Sequence, residues 1–489
     1  MREENAFIDG RRQAAASGKV FDSINPATGE VIAHVAACDA ADVDKAVSGA
    51  RAAFSGKWSA TNAADRGRLL NKLADLIEAN AESLAMLDTI DAGKPLADSR
   101  ADIPAAVSIV RFFAGLSDKI RGNTMPVQSG YFAYTRREPY GVVGAIVPWN
   151  YPLYNACVKV APILAMGNTC VLKPAEQTPL SALELGRLAH EAGMPEGVLN
   201  VVPGFGETAG AALARHMDVD KISFTGSSEV GRLILEASAK SNIKHVTLEL
   251  GGKSPNIIFS DANLEPAVDS AAFSVFYNQG QTCTAGTRLL VQRDIASKVV
   301  DELVARARKV RVGDPLADDT HLGSVVSREQ FDRVSGYIER GRKEGAELRC
   351  GGARPTDPSL QKGLFLEPTI FTNVKPTMSI AQEEIFGPVL SVIEFESEAE
   401  AIQLANQVTY GLAASVWTRD AARLHRVANA IQAGLVWGNC VFVENPSVPV
   451  GGYKQSGFGK EYGIEAGLEY TRLKTVWVNL TDEAFKWIT

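Results

Sequence analysis

The residues best suited to chemistry in this 489-residue chain are a cysteine and a glutamate, Cys283 and Glu249. Cys283 lies in NQGQTCTAG, a run of small and amide residues, whereas Cys157 and Cys170 lie in the apolar surroundings typical of structural cysteines. A cysteine on a glycine-bounded turn can be reached by a substrate, and its thiolate is a strong nucleophile. Glu249 follows an apolar run, where a carboxylate needs water, a partner or a catalytic task. A structural hydrogen bond to nearby backbone is the alternative for Glu249.

Two other kinds of site have weaker support. The six histidines stand at positions 34, 190, 216, 245, 321 and 425, and none is adjacent to Cys283. A Cys/His dyad of the protease type can form from distant residues, so that alternative stays open. The sequence contains no HExxH string and no clustered Cys/His spacing, so it does not indicate a zinc site.

The elements that must position these groups form an alternating pattern after Gly141. Short runs rich in Val and Ile alternate with helical segments, which predicts βαβ units and a parallel sheet with helices on both faces. Polar or glycine-containing exits follow the runs. Because ligands bind beyond the carboxyl ends of parallel strands, five such exits at one edge predict a shared binding site. The runs are VVGAIV (142–147), TCVLK (169–173), VLNVV (198–202), KISFT (221–225) and HVTLEL (245–250), and their exits are PWN, KPAEQTP, PGFGE, TGSSE and ELGGK.

Two of these exits are glycine-rich loops that lead into helices. Residues 204–210 (GFGETAG) resemble GxGxxG with one residue too many, and residues 226–231 (GSSEVG) open a helix. Glycine lets the backbone approach a phosphate, and a helix N-terminus attracts anions, so Gly206, Gly210 and Gly226 are candidate phosphate contacts. A turn followed by a helix cap is the alternative for either loop.

The rest of the chain supplies more helices and a second sheet. Helical spacing predicts helices over residues 42–119, interrupted by Gly-Lys-Pro at 93–95. After Pro255, the strand candidates PNIIF, TRLLV, VLSVIEF, ASVW and LVWGN alternate with helix candidates, which predicts a second α/β domain. The tail YTRLKTVWVNL alternates like a strand but has no obvious local partner, so we expect it to join an edge elsewhere, including one on another subunit.

Length and composition limit the class of protein. A chain of 489 residues exceeds the usual size of one core, so two or three domains are expected. With 46% hydrophobic and 22% charged residues, the composition is that of a globular protein. A net charge of −7 without a Lys/Arg run argues against nucleic acid and an anionic membrane as partners. Six cysteines without CxxC spacing, and no apolar signal core near the N-terminus, predict a cytoplasmic location.

The motifs resemble those of the NAD(P)-dependent aldehyde dehydrogenases over essentially the whole length. The matching strings are INPATGE, VPWNYP, KPAEQTP, FTGSSEVG, LELGGKSP, NQGQTC, EEIFGPV, WGN and GGYKQSGFGKE. Their order and separations also fit this family, and in particular its betaine-aldehyde, amino-aldehyde or broad-range members. The resemblance implies NAD-dependent oxidation of a small-molecule aldehyde to a carboxylic acid, and a homodimer or homotetramer.

The resemblance implies roles for five residues near the reacting atoms. Cys283 would attack the aldehyde carbon to give a thiohemiacetal and then a thioester. The side-chain amide of Asn150 and the backbone N–H of Cys283 would stabilise the oxyanion. Glu249 would act as the general base for the water that hydrolyses the thioester. Lys159 and Glu461 match a proton-relay pair, for which a structural salt bridge is the alternative.

The resemblance also implies a set of cofactor-binding residues. Lys173 and Glu176 would hold the adenosine ribose, and the carboxylate favours NAD over NADP because it repels a 2′-phosphate. Glu384 would bind the nicotinamide ribose, and Phe386 would pack beside the nicotinamide. Further implied contacts of the cofactor are Trp149, Thr225, Gly226 and Ser227.

A substrate pocket and a cation site are implied with less detail. Many relatives carry Trp at the position of Val158 and an aromatic residue at Val450, so we expect a roomier pocket here. Glu444 lies on the entrance loop, where it would favour cationic aldehydes or face water. Ile24 and Asp91 match a monovalent-cation site, for which a solvated Asp91 is the alternative. The retained aromatic surface is assigned to Tyr154, Phe276 and Tyr277.

These patterns and the resemblance together predict an α/β protein with a Rossmann-like parallel-sheet cofactor domain, a second α/β catalytic domain and a small β oligomerisation element. Two alternative functions remain: a thiol esterase or hydrolase that uses Cys283, and a catalytically silent NAD-binding relative. The predicted domains are 1–119 and 139–250 for NAD binding, 251–440 for catalysis, 441–468 for a return to the cofactor domain, and 120–138 with 469–489 for oligomerisation.

Overall fold

The structure, a computed structural model, describes residues 2–482 and Ile488. Residue 1 of the predicted NAD-binding segment, and residues 483–487 and 489 of the predicted oligomerisation segment, lie outside the described residues. The strands are β1 (Arg2–Glu4), β2 (Ala6–Ile8), β3 (Arg11–Gln13), β4 (Val20–Ile24), β5 (Val31–Ala36), β6 (Thr124–Met125), β7 (Tyr131–Pro139), β8 (Val142–Ile146), β9 (Thr169–Lys173), β10 (Leu199–Val201), β11 (Lys221–Thr225), β12 (His245–Glu249), β13 (Pro255–Ile258), β14 (Arg288–Gln292), β15 (Glu347–Cys350), β16 (Thr369–Thr372), β17 (Val389–Phe395), β18 (Tyr410–Gly411), β19 (Ala413–Trp417), β20 (Leu435–Gly438), β21 (Tyr453–Lys454), β22 (Gly457–Phe458) and β23 (Thr471–Asn479).

The α-helices bury their apolar faces against these strands and against one another. Several begin at side-chain caps, such as α1 at Asp39 and α3 at Asn62, which satisfy free N–H groups of the first turn. The helices are α1 (Ala40–Ser55), α2 (Lys57–Ala60), α3 (Ala63–Ala79), α4 (Ala81–Ala92), α5 (Leu96–Leu116), α6 (Pro152–Ala165), α7 (Leu180–Glu191), α8 (Ala211–Arg215), α9 (Ser228–Ala239), α10 (Leu264–Phe276), α11 (Arg293–Ala307), α12 (Arg328–Lys343), α13 (Ser379–Gln382), α14 (Glu398–Asn406), α15 (Ala421–Ala430) and α16 (Gly463–Glu469).

The first sheet contains the five predicted strands as its parallel centre. Its order is β22-β12-β11-β8-β9-β10-β2-β3, and the pairs from β12 through β10 are parallel. The chain passes from β8 outward in one direction through β9 and β10, and in the other through β11 and β12. The exits of β8 and β11 therefore flank the topological switch point, where ligands bind in open α/β sheets.

The second sheet is built from the strands predicted after Pro255. Its order is β15-β16-β17-β14-β13-β19-β20, and only the β15–β16 pair is antiparallel. Helices α10 and α11 bury Val275, Val299 and Leu303 in one of its apolar cores. The two parallel sheets with their helices make this an α/β fold, in agreement with the prediction.

The C-terminal strand has a partner within the same chain. Strand β23 pairs antiparallel with β7 along its whole length, from Thr471 opposite Pro139 to Asn479 opposite Tyr131, and β6 adds a third strand. The partner lies more than 300 residues earlier, so no local pattern could indicate it. Among the described residues, no helix combines the length and the apolar character needed to cross a membrane.

Candidate active site

The turn that carries Cys283 is held from several sides. A 3₁₀ turn, Tyr277–Gly280, precedes it, with Asn278 and Gln279 at φ values of 49° and 56°. The Asn278 amide donates to the Asn150 carbonyl at 3.0 Å, and the Asn150 amide donates to the Gln281 carbonyl at 2.8 Å. Asn150 is the fourth residue after the end of β8, so hydrogen bonds join the exit of this strand to the turn that carries Cys283.

The exit of β12 reaches the same place. A side chain at position 252 would overlap the carbonyl oxygen of Cys283, and one at position 251 would overlap the Glu384 carboxylate. Only glycine permits these two close approaches. The Glu384 carboxylate also accepts a hydrogen bond from the Gly252 N–H at 2.9 Å. Glu249, Cys283 and Glu384 are thus gathered around one glycine pair.

Glu249 is a buried acid with little local support. Its residue is 8% exposed, and its Oε1 atom has no hydrogen-bond partner among the described residues. Burial raises the pKa of Glu249 well above its usual range, and the nearby Glu461 carboxylate raises it further. The alternative considered for this carboxylate was a backbone hydrogen bond, and Oε1 makes none within the part of the chain that the structure describes. A carboxylate with an unpaired oxygen and a raised pKa is suited to accept a proton from water.

Cys283 keeps partial exposure, so a small molecule can reach it. Burial raises the pKa of its thiol, and the carboxylates of Glu384 and Glu249 raise it further. The resting thiol is therefore protonated, and attack requires a base or a nearby positive charge. Among the described residues, no histidine is hydrogen-bonded to this cysteine, so the structure offers no support for a Cys/His dyad.

Lys159 and Glu461 form a mostly buried ion pair beside Glu249. Lys159 is 1% exposed and lies on α6, while Glu461 is joined to Val450 through a pair of backbone hydrogen bonds of 2.7 and 2.8 Å. The Thr225 hydroxyl lies 3.5 Å from the Glu461 carboxylate. The positive charge of Lys159 lowers the pKa of Glu249, against the larger effect of burial.

The candidate ribose contacts lie at the next exit of the first sheet. Lys173 ends β9, and its ammonium group lies 3.1 Å from the Glu176 carboxylate, which remains partly exposed. At the exit of β11, Ser227 caps α9 by accepting a hydrogen bond from Val230 N–H at 3.2 Å. Gly226 precedes this cap, and Gly206 and Gly210 bound a π-helical turn that leads into α8.

Trp149 and Phe386 face each other across the cleft between the sheets. Their ring centroids are 5.2 Å apart in an edge-to-face arrangement. Phe386 has a φ of 60°, a costly conformation for an aromatic residue, and its carbonyl accepts a hydrogen bond from the Gln330 amide at 2.7 Å. Burial raises the pKa of Glu384, two residues earlier, to about 7.

The aromatic residues assigned to the substrate pocket separate into two groups. The Tyr154 hydroxyl donates to the exposed Glu444 carboxylate at 3.0 Å and lies 2.7 Å from the Tyr462 hydroxyl. Tyr277 packs against Phe442, with ring centroids 6.3 Å apart. These contacts place an aromatic and hydroxyl-rich surface beside the loop that carries Glu444.

Three other predicted pocket residues are placed in apolar packing. Val158 is 3% exposed within the same core cluster as Leu153, and Val450 packs against that cluster. Phe276 is 4% exposed in the core beneath the second sheet, so it offers little surface to a substrate. Helical geometry explains this, because Phe276 ends α10 on the buried face of that helix.

Asp91 is buried, which excludes the solvated alternative. Its carboxylate accepts hydrogen bonds from the Ser23 hydroxyl at 2.5 Å and the Leu180 N–H at 3.0 Å. Burial raises its pKa to about 8. Ile24 lies next to Ser23 at the end of β4. Among the described residues, no group of three or more His, Cys, Asp or Glu side chains could hold a metal ion.

Sequence reasoning did not identify several residues that shape this site. Tyr151 contacts Thr282, the residue before Cys283, and Tyr462 contacts Tyr154. Tyr151 lies inside the matched string VPWNYP, and Thr282 inside NQGQTC, so their proximity to functional residues was visible. Their pairing across 131 residues was not.

Comparison with known proteins identifies the family. The model of the aldehyde dehydrogenase family matches residues 13–476. The mitochondrial aldehyde dehydrogenase of Equus caballus is 51% identical, over 97% of this chain and 95% of that protein.

Solved structures show the same fold. The NAD⁺ complex of the aldehyde dehydrogenase of Bacillus cereus is 49% identical, with a TM-score of 0.96, and the match covers 98% of this chain and 97% of that one. PnpE from a Pseudomonas species is 47% identical, with a TM-score of 0.97 and 99% coverage of both chains. The chain therefore belongs to the aldehyde dehydrogenase family.

Proposed function

We propose that this protein oxidises a small aldehyde to a carboxylic acid with NAD as the hydride acceptor. The observation that carries the proposal is the convergence of Glu249, Glu384 and Cys283 on the glycine pair at 251–252, beside the topological switch point. The NAD⁺ complex of the Bacillus cereus relative supports the choice of cofactor.

The partly exposed thiol of Cys283 first gives its proton to solvent water. Its sulfur then forms a bond to the aldehyde carbon while the carbon–oxygen π bond breaks, and the carbonyl oxygen becomes an oxyanion. Two N–H groups are available to it. Asn150 donates one N–H of its amide to the Gln281 carbonyl, and the second N–H has no partner among the described residues. The backbone N–H of Cys283 is the other donor. Losing one such donor typically raises the barrier by about 3 kcal/mol.

The later step is hydrolysis of the thioester. Bound NAD supplies an acceptor for the hydride that leaves the tetrahedral carbon. Glu249 then takes a proton from water, whose oxygen attacks the thioester and releases the acid and the thiol. Lys159 and Glu461 lie close enough to influence the charge of Glu249, which supports a role for this pair in passing the proton onward.

The donor set of the cleft fits NAD. The Glu176 carboxylate, paired with Lys173, can accept hydrogen bonds from ribose hydroxyls and would repel a 2′-phosphate. The N-terminus of α9 at Gly226 and Ser227 offers backbone N–H groups to a pyrophosphate. Glu384 is available for the second ribose.

The test is a panel of aliphatic, aromatic, cationic and anionic aldehydes, assayed for NADH absorbance with NAD and with NADP. We expect NADH formation with at least one class and slower turnover with NADP. Ester hydrolysis without any NADH signal would overturn the proposal and favour a thiol hydrolase. Binding of NAD without turnover of either substrate would favour a silent relative.

The predicted domain bounds and assembly complete the proposal. We place NAD binding in 1–119 and 139–250, catalysis in 251–440 with the return segment 441–468, and oligomerisation in 120–138 with 469–489. The β23–β7 sheet exposes Tyr131, Phe132 and Trp477, which is apolar surface suited to a second copy. Sedimentation would show a dimer or tetramer; a monomer would contradict this part of the proposal.

Two further parts of the proposal concern the cell and the cation. The six cysteines are free, which suits the reducing cytoplasm.

Asp91 and the Ile24 carbonyl remain the proposed cation contacts. A cation there would stabilise the ionised form of Asp91, so potassium or sodium should raise the melting temperature of wild-type protein more than that of D91N. Equal shifts would remove the cation site.

A further inference from the structure

Gly-Lys-Pro at 93–95 has no assigned role, although it places a charged side chain inside the protein. Gly93 ends α4 with a φ of 76°, and Lys94 follows with 0% exposure. Lys94 forms an ion pair with Asp102 of α5, which satisfies part of its charge. Burying a lysine ammonium group destabilises the folded protein unless other groups compensate its charge. The contacts of Lys94 are therefore important for stability.

The second partner of Lys94 is an aromatic ring. Its ammonium nitrogen lies 4.2 Å from the centroid of Tyr151, well within the range of a cation–π interaction. Tyr151 follows Asn150 and precedes α6. The ammonium group thus packs over the face of the ring and restricts its orientation.

The hydroxyl of Tyr151 points to the turn of the nucleophile. It lies 2.8 Å from the hydroxyl of Thr282, the residue immediately before Cys283. Asn150 holds the Gln281 carbonyl on the same turn. Neighbouring residues of the β8 exit therefore hold two consecutive residues of the segment that ends in the thiol.

We propose that Tyr151, supported by Lys94 and Asp102, is a positioning residue for Cys283. It acts through Thr282 and sets the orientation of the thiol and of the Cys283 N–H. This deepens the proposed function, because a misplaced nucleophile slows attack while leaving cofactor binding unchanged.

The test is a double-mutant cycle of Y151F and T282V. Each change removes one hydroxyl with little change of shape, so each should lower kcat by about three- to tenfold, the cost of one hydrogen bond. The Michaelis constant for NAD should stay the same. Because both changes break the same contact, the double variant should lose no more than either single variant. Losses that multiply in the double variant would overturn the proposal.

The matched control is Y470F. The Tyr470 hydroxyl bonds the Ser223 hydroxyl at 2.9 Å in the core of the first sheet, so its removal costs a similar bond at another place. We expect Y470F to lower the melting temperature without changing kcat. If Y151F behaved in the same way, Tyr151 would have only a structural role.

The role of Lys94 is tested by replacing it both in the wild-type enzyme and in Y151F, which lacks the tyrosine hydroxyl. K94M should slow oxidation in the wild-type enzyme, with recovery in K94R, but should cost no further rate when added to Y151F. A further loss of rate in K94M/Y151F would contradict the action of Lys94 through the hydroxyl. If K94M does not fold, the K94R comparison and the Tyr151–Thr282 cycle still decide the proposal.

A second readout separates this proposal from the proposed function. The rate at which iodoacetamide alkylates Cys283, followed by mass spectrometry of its peptide, requires neither NAD nor aldehyde. We expect Y151F and T282V to change this rate equally, and Y470F to leave it unchanged. A wild-type protein that oxidises no aldehyde would refute the proposed function while this cycle still reported on positioning. Alkylation unchanged in Y151F would overturn the positioning role.

Discussion

The two walls of the cleft treat their charged groups in opposite ways. The ribose wall, formed by Lys173, Glu176 and Ser227, has its side chains already partnered: the ion pair spans 3.1 Å and Ser227 caps a helix. The thiol wall is formed by Cys283 and Glu249, with the ribose contact Glu384 beside them. Among the described residues, Glu249 Oε1 has no hydrogen-bond partner, and the pKa values of Cys283 and Glu249 are both raised.

This difference shows at which groups the protein tolerates an unfavourable contribution to its folding free energy. Groups that only bind can be satisfied before a ligand arrives, because the ligand adds bonds to them. Groups that exchange protons must stay incompletely satisfied, because a fully bonded acid or thiol would be inert. The positive φ values of Gln279 and Phe386 fall on the same thiol wall, so part of the backbone strain of the protein lies there as well.

The largest expected effect comes from removing the nucleophile. C283A should lower kcat by roughly a thousandfold or more, because it removes the sulfur that forms the covalent intermediate. NAD binding, measured by quenching of tryptophan fluorescence, should persist because the ribose wall is intact. C350A is the control, since Cys350 is a partly exposed free cysteine on β15, the edge strand of the second sheet. If C283A still oxidised aldehyde, Cys283 would not be the nucleophile, and the chemical role assigned to the thiol wall would be wrong.

The next effect concerns Glu249 and its pKa. E249Q should lower steady-state turnover by about 10²- to 10⁴-fold as general-base catalysis is lost, but a first burst of NADH should remain. In the wild type, the ionised form is the active base, and burial raises its pKa. Activity should therefore fall, as pH decreases, at a higher pH than for an ordinary glutamate. The profile of the first turnover in E249Q should lack this limb.

The same residue predicts a gain in stability. A carboxylate with a raised folded-state pKa stabilises the protein fully only below its unfolded pKa, and this stabilisation is lost as pH rises through the folded pKa. E249Q has no charge to bury, so its melting temperature should exceed that of the wild type at neutral pH. An equal or lower melting temperature would show that burial of the Glu249 carboxylate does not destabilise the folded protein.

A smaller effect is expected on the ribose wall. E176Q should raise the Michaelis constant for NAD by about tenfold, since a hydrogen bond to a charged group is weakened, while kcat stays the same. Discrimination against NADP should also decrease, because the repulsion of a 2′-phosphate is removed. E191Q, a change at an exposed glutamate that pairs with Arg187 at the end of α7, is the matched control. A fall in kcat alone would place Glu176 with the chemistry.

Local patterns predicted the strands and their exits well. KISFT and VLSVIEF match β11 and β17 residue for residue, because alternating or continuous apolar runs depend only on neighbours. The helical region predicted over residues 42–119 contains a boundary that the apolar spacing does not show, because Asn80 separates α3 from α4. An amide side chain that bonds the preceding turn offers the backbone an ending that apolar spacing does not reveal.

Contacts between segments far apart in the chain could not be predicted from the sequence. The pairing of β23 with β7, the burial of Asp91 and the place of Phe276 in a core all depend on segments far apart in the chain. The site was predicted as a set of residue types at strand exits. Its distinguishing property, the contrast between satisfied and unsatisfied groups, arises only when Gly251 and Gly252 bring the second sheet against the first.

The smallest expected effect lies outside both walls, at Glu444. This carboxylate is exposed and accepts a hydrogen bond from the Tyr154 hydroxyl, so its influence on a charged substrate is screened by water. E444Q should reduce kcat/KM for a cationic aldehyde by about two- to fivefold, the value of an exposed ion pair, and leave a neutral aldehyde of the same size unaffected. Y154F keeps the charge and removes only its bond, so it should retain the cationic preference. If E444Q slowed both aldehydes equally, Glu444 would contribute to the reaction itself and not to the choice of substrate. Its role would then resemble that of the thiol wall, although it lies outside that wall.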